Sequence, residues 1–119
     1  MKKDVQVDAR ELAAELLLEL EKGREYENTL LKNVLDKYDY LDTKQKAFIK
    51  RLVEGVTERR IQLDYVLECF SSIPVRKMKP FIRCLLRMGA YQILFMDGIP
   101  DSAACNEAVK LADRKGFGG

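Results

Sequence analysis

Residues 76–109 read RKMKPFIRCLLRMGAYQILFMDGIPDSAACNEAV, and this stretch decides the fold. Pro80 stands where the first turn of a helix loses nothing by lacking an N–H. The apolar set Phe81, Ile82, Leu85, Leu86, Gly89, Ala90, Ile93 and Leu94 then recurs at helical spacing and predicts the buried face of that helix. Asp97, Gly98 and Pro100 close it. A second amphipathic helix begins near Asp101 or Ser102 and runs through Ala104, Ala108, Val109, Leu111 and Ala112 to about Lys115. On the first helix Lys79, Arg83, Arg87, Tyr91 and Phe95 follow one another at i, i+4 spacing, so the helix lines them up in one row. Such a row predicts a surface that could hold phosphate and touch bases.

Upstream the same period continues. Asp8 and Glu11 form the start of a capping box, and Ala9, Leu12, Ala13, Leu16, Leu17 and Leu20 make an apolar stripe ended by Gly23. A second helix is predicted over Glu27 to Tyr38, burying Leu30, Leu31, Val34 and Leu35. Asp42 with Gln45 repeats the capping signal for a third, carrying Ala47, Phe48, Leu52, Val53 and Val56. Gly55 inside it predicts a close helix crossing, where a side chain would be in the way. Ile61, Leu63, Val66, Leu67 and Phe70 keep the spacing, and one bent helix or two fit residues 43–70 equally. No segment sustains period-2 alternation, so the fold class is all-α: a helical bundle of about six helices.

At 119 residues, 47% hydrophobic and 34% charged, the chain fits one globular domain, residues 1–119. Its apolar runs fall far short of the ~20 residues that cross a bilayer, and no apolar segment follows the charged start Met1-Lys2-Lys3-Asp4. A cytoplasmic location and no membrane partner are the expectation. Cys69, Cys84 and Cys105 are widely spaced packing residues of a reducing compartment. Histidine is absent, which removes the commonest general base and metal ligand. No phosphate-binding Gly-rich loop lies between a strand and a helix, and carboxylate pairs such as Asp36 and Asp39 fall on charged surface. No catalytic residue and no metal ligand is assigned, and no cofactor site is expected in this chain.

Charge is segregated. Residues 11–42 carry nine acids and four bases, residues 59–87 seven bases and two acids, although the whole chain is only +2. A field divided in this way is the footprint of a strongly charged partner, nucleic acid first, unless acids and bases simply meet across the fold. Arg59, Arg60, Arg76, Lys77, Lys79 and Arg83 are the exposed candidates. Arg87, between Leu86 and Met88, fits an RNA contact or a structural anchor to a buried carboxylate.

Read in order, Arg10, Glu11 and Ala13; Gly23 and Tyr26; Leu52, Val53, Gly55 and Val56; Arg59, Arg60, Leu63, Asp64 and Tyr65; Lys77, Lys79 and Pro80 form a recognisable series. With Leu85 to Phe95, Ile99-Pro100-Asp101 and Asn106-Glu107-Ala108-Val109, the chain resembles the NusB-like RNA-binding domain. It is more similar still to the version at the N-terminus of Sun/RsmB ribosomal RNA cytosine-5 methyltransferases. The resemblance implies two packed helical sub-bundles that help dock small-subunit ribosomal RNA, while a downstream domain binds S-adenosylmethionine and methylates a cytosine. It also implies an RNA edge at the basic start of the first helix, which lands on Arg10 with Lys2 and Lys3; Asp8 stands where an Arg-rich run is the family pattern, shifting weight toward Arg59 to Arg87. The family continues past a Gly-rich turn into a final helix, whereas this chain ends at Gly116-Phe117-Gly118-Gly119, so it reads as a domain of a longer protein whose missing helix leaves apolar surface that favours self-association. A free-standing antitermination factor and a purely structural spacer are the competing readings.

Overall fold

A computed structural model describes residues 8–23 and 26–96. Lys2, Lys3, Cys105 and the helix predicted from Asp101 or Ser102 to Lys115 lie outside them. Five α-helices follow in order: α1 Ala9–Glu21, α2 Glu27–Lys37, α3 Thr43–Glu58, α4 Arg60–Phe70 and α5 Pro80–Phe95, with a 3-10 turn at Val75–Lys77. Among the described residues there is no strand, and no helix is long and apolar enough to cross a membrane.

The signals that start and stop these helices act as the sequence reading expects. Asp8 accepts the Glu11 N–H at 2.8 Å, satisfying one of the first-turn donors of α1. Gly23, at φ +72°, takes the left-handed conformation that lets the chain leave that helix without strain. Asp42 and Gln45 form a complete capping box, each side chain bonded to the other's backbone N–H at 2.8 and 3.0 Å. Only Arg59, at φ −107° ψ 20°, separates α3 from α4, so residues 43–70 form two helices joined without a loop.

α1 packs on α3 and α5, and these three surround the core, with Leu12, Ala13, Leu16, Ile49, Leu52, Val53, Cys84, Leu85 and Met88 all buried. α4 leans on α5, and α2 covers α1 and α3 more loosely. Gly55 sits where α3 meets the Tyr91 ring of α5, the close crossing that its position predicts.

Two faces differ from expectation. On α5 the inward residues are Phe81, Cys84, Leu85, Arg87, Met88, Tyr91 and Gln92, while Leu86, Ile93 and Leu94, predicted to be buried, are exposed and Ile82, Gly89 and Ala90 lie in between. This helix is apolar on both sides, and polar partners decide which one turns in. Gln92 donates to Met88 O at 3.1 Å and accepts from Arg10 Nε at 3.0 Å, so its amide is satisfied in the interior. On α4 only Leu63 of the predicted set is buried, and Ile61 and Phe70 stand in solvent.

Candidate nucleic-acid interface

Four of the predicted cations meet in one place. Arg60, Arg76, Arg83 and Arg87 line a cleft of about 480 Å³ between α1, α4, the 3-10 turn and α5, together with Glu21, Asp64 and Glu68. Two of the four are already neutralised. Arg87 donates from Nε and Nη2 to the two oxygens of Asp64 at 2.7 and 2.9 Å and from Nη1 to Glu21 Oε2 at 3.0 Å. Arg83 grips Glu21 through Nε at 2.9 Å and Nη2, and gives Nη1 to the carbonyls of Val75 and Met78. The side chains of Arg83 and Arg87 are only 15% and 10% exposed. The bond from Arg83 holds the Glu21 carboxyl below its ordinary range although burial opposes it, and the same bond raises Arg83.

The expected row along α5 is therefore corrected. Lys79 is exposed at its start, but Arg83 and Arg87 turn inward to acids of α1 and α4, and Tyr91 is 7% exposed in the core. Bringing RNA phosphate to Arg83 or Arg87 would mean stripping them of carboxylates, a loss of several kcal/mol. The structural reading of Arg87 is the one the geometry carries.

The remaining cations divide into two groups. Among the described residues Arg60, Arg76 and Lys77 have no carboxylate partner and all three are exposed. Arg59 lies with its guanidinium 4.3 Å over the Phe95 ring and donates to Gln62 at 3.1 Å, again with no acid. Arg51, not singled out in the sequence, donates to Phe95 O at 3.1 Å at the same end of α5. Its signal was the eight-residue spacing to Arg59, a little over two turns of α3. Arg10 stands apart from the cleft. It is tied to Gln92 and placed 5.1 Å over the Phe48 ring, about 16 Å along α1 from Glu21 at 1.5 Å per residue.

Beside the cleft, sharing Leu20, Glu21, Arg60 and Arg87 with it, lies a smaller cavity of about 280 Å³ that also holds Tyr26, Glu27, Val56, Thr57 and Cys84. Burial, with Glu54 and Glu58 nearby, raises the Glu27 carboxyl, a perturbed acid that the sequence reading did not foresee. Burial and Glu21 push the Cys84 thiol up to about 12, which leaves it protonated and inert. Among the described residues no cluster of His, Cys, Asp and Glu could hold a metal.

Comparison with known proteins places this architecture. The NusB family profile matches residues 7–118, nearly the whole chain. The chain belongs to the NusB family. This NusB-family chain is 39% identical over 110 residues to a Bacillus subtilis protein described as a probable ribosomal RNA small subunit methyltransferase B, a match covering 92% of the chain and 24% of that protein. A Synechocystis protein of the same description is 32% identical over 113 residues, covering 95% of the chain and 25% of the relative. Another NusB-family member, the transcription antitermination protein NusB of Kineococcus radiotolerans, is 33% identical over 105 residues, 87% of this chain and 75% of that one. The chain thus spans about a quarter of the length of the methyltransferases it matches.

Proposed function

We propose that this chain is an RNA-docking domain that presents small-subunit ribosomal RNA to a cytosine-5 methyltransferase domain downstream in a cytoplasmic parent protein. The observation that carries RNA binding is the set Arg59, Arg60, Arg76 and Lys77. After Glu21 and Asp64 have taken up Arg83 and Arg87, these four cations stand without an acid among the described residues: Arg60 and Arg76 on the cleft, Lys77 beside Arg76 in the 3-10 turn, and Arg59 over the Phe95 ring at the C-terminal end of α5. Lys79 is exposed at the start of α5, Arg10 lies at the start of α1, and Lys2 and Lys3, outside the described residues, are further candidates. The methyltransferase assignment is supported by the relatives that match across more than nine-tenths of this chain. S-adenosylmethionine belongs in this reading to the downstream domain. The antitermination reading is favoured by one observation, a match to NusB proteins over three-quarters of their own length.

Titration of the chain with a small-subunit ribosomal RNA helix at 50 and 200 mM salt tests the proposal. Four phosphates neutralised predict a fall in affinity on the order of a hundredfold between the two, since counterions released on binding make log K nearly linear in log salt. Tighter binding to an antitermination leader RNA than to the ribosomal helix would favour the factor reading. Absence of binding at low salt would leave a spacer.

A further inference from the structure

We infer that Glu68 is a positioning residue for RNA contact: its carboxylate fixes the 3-10 turn Val75–Lys77, so that Arg76 and Lys77 meet phosphate from a backbone already in place. This inference rests on the RNA-docking reading and says how two of its cations are aimed.

The turn that carries them has little of its own to hold it. It is three residues long, and its local bonds, Lys77 N–H to Pro74 O at 2.9 Å and Met78 N–H to Val75 O at 3.1 Å, would not order so short a piece in water. Partners from both flanking helices clamp it. From α4, Glu68 Oε2 accepts the Val75 N–H at 2.9 Å. From α5, Arg83 gives Nη1 to Val75 O at 3.3 Å and to Met78 O at 3.1 Å, while Glu21 holds the rest of that guanidinium. The Val75 side chain is itself buried. Val75 is thereby fixed at its N–H, its carbonyl and its side chain, and the next two residues are the exposed cations Arg76 and Lys77.

Glu68 is also an acid where RNA docking alone would place none. It lines the cleft with Arg60 and Arg76, yet makes no ion pair with either. A carboxylate there repels phosphate, and the bond to Val75 accounts for its presence, because a charged acceptor holds an N–H about twice as strongly as a neutral one. A turn ordered before contact spares binding the cost of ordering it. Arg83 serves the same turn but is bound up with the stability of the fold through Glu21. Glu68 is exposed, so its effect on binding can be read apart from unfolding.

Affinity for a small-subunit ribosomal RNA helix across a salt series, with folding checked by circular dichroism and amide exchange recorded at Val75, tests the assignment. Glu68→Ala is expected to bind about fivefold more weakly, the worth of one hydrogen bond, with the slope of log K against log salt unchanged because no cation is lost. Charge alone predicts the opposite sign, since removing an acid from the cleft should tighten binding. Glu68→Gln keeps a carbonyl acceptor for Val75 and loses the charge, so it should bind at least as tightly as wild type. Exchange at Val75 should quicken in Glu68→Ala and not in Glu68→Gln. In a background with Arg76 and Lys77 both changed to Gln, Glu68→Ala should no longer weaken binding. Glu68→Ala binding as tightly as wild type or tighter, or weakening binding equally in that background, overturns the positioning role while steep, salt-dependent binding leaves RNA docking in place. Absence of RNA binding by the wild type at low salt overturns docking itself.

Discussion

Glu21→Gln is expected to cost about 3 kcal/mol and to lower the melting temperature on the order of 10 °C. Glu21 closes α1 onto the second half of the chain. Its two oxygens take bonds from Arg83 and Arg87, and Asp64 holds Arg87 from α4, so four charged side chains balance as two and two. All are largely removed from water, and deleting one negative charge leaves two guanidinium groups sharing a single carboxylate. An exposed pair such as Lys32 with Asp36, at 77% and 71% exposure, is by contrast worth well under 1 kcal/mol. The pH dependence follows from the lowered carboxyl of Glu21. A group more acidic in the folded chain than its ordinary value of 4.5 adds stability in full above that value and loses it as pH falls through the folded one. Urea midpoints of wild type and Glu21→Gln should therefore keep a constant gap from neutral pH down to about 4.5 and converge below it. A variant within about 0.5 kcal/mol of wild type at pH 7 would remove the network from the account of stability.

Gly55→Ala is expected to destabilise the fold by about 2 kcal/mol even though alanine is the better helix former by about 1 kcal/mol. A Cβ at residue 55 would lie within 2.5 Å of Tyr91 Cε1 and closer still to Cζ and Oη. The ring has little room to withdraw, since Tyr91 is 7% exposed and stacks on Phe95 with centroids 5.5 Å apart. The overlap involves the ring rather than the hydroxyl alone, so Tyr91→Phe should not rescue Gly55→Ala. In a Tyr91→Leu background the alanine should instead be neutral or stabilising. Denaturant midpoints of the four proteins give a double-mutant cycle, and additivity within about 0.5 kcal/mol would refute the crossing as the cause.

Where the sequence is legible, a local rule is enough. Asp8, Gly23, the Asp42 and Gln45 pair and Pro80 each act on backbone groups within a few residues, and each marks a helix end in the structure. Gly55 is legible for a related reason, because a glycine inside an otherwise strong helix asks for an external cause. Orientation of α5 is not legible in this way. Periodicity counts Arg87 and Gln92 as outward residues, yet their partners Glu21, Asp64 and Arg10 lie between 23 and 82 residues away and draw them inward. The cation row fails with them, since spacing says which side chains share a face and nothing about the acids that face meets. The same distance hides Glu27, whose surroundings come from α3. Charge segregation is read correctly as a pattern. Part of it serves the fold through Glu21, and the remainder is the set Arg59, Arg60, Arg76 and Lys77, which have no acid partner among the described residues.

The measurement that tests this account most directly compares the slope of log K against log salt for a small-subunit ribosomal RNA helix between the wild-type chain and a variant with Arg59, Arg60, Arg76 and Lys77 all changed to Gln. None of these four makes an ion pair among the described residues, so the variant should fold. The account predicts that its slope is shallower by about 3.6, roughly 0.9 for each of the four phosphates that the removed cations had neutralised, with affinity at low salt reduced at least a hundredfold. An unchanged slope and affinity in a folded variant would contradict it.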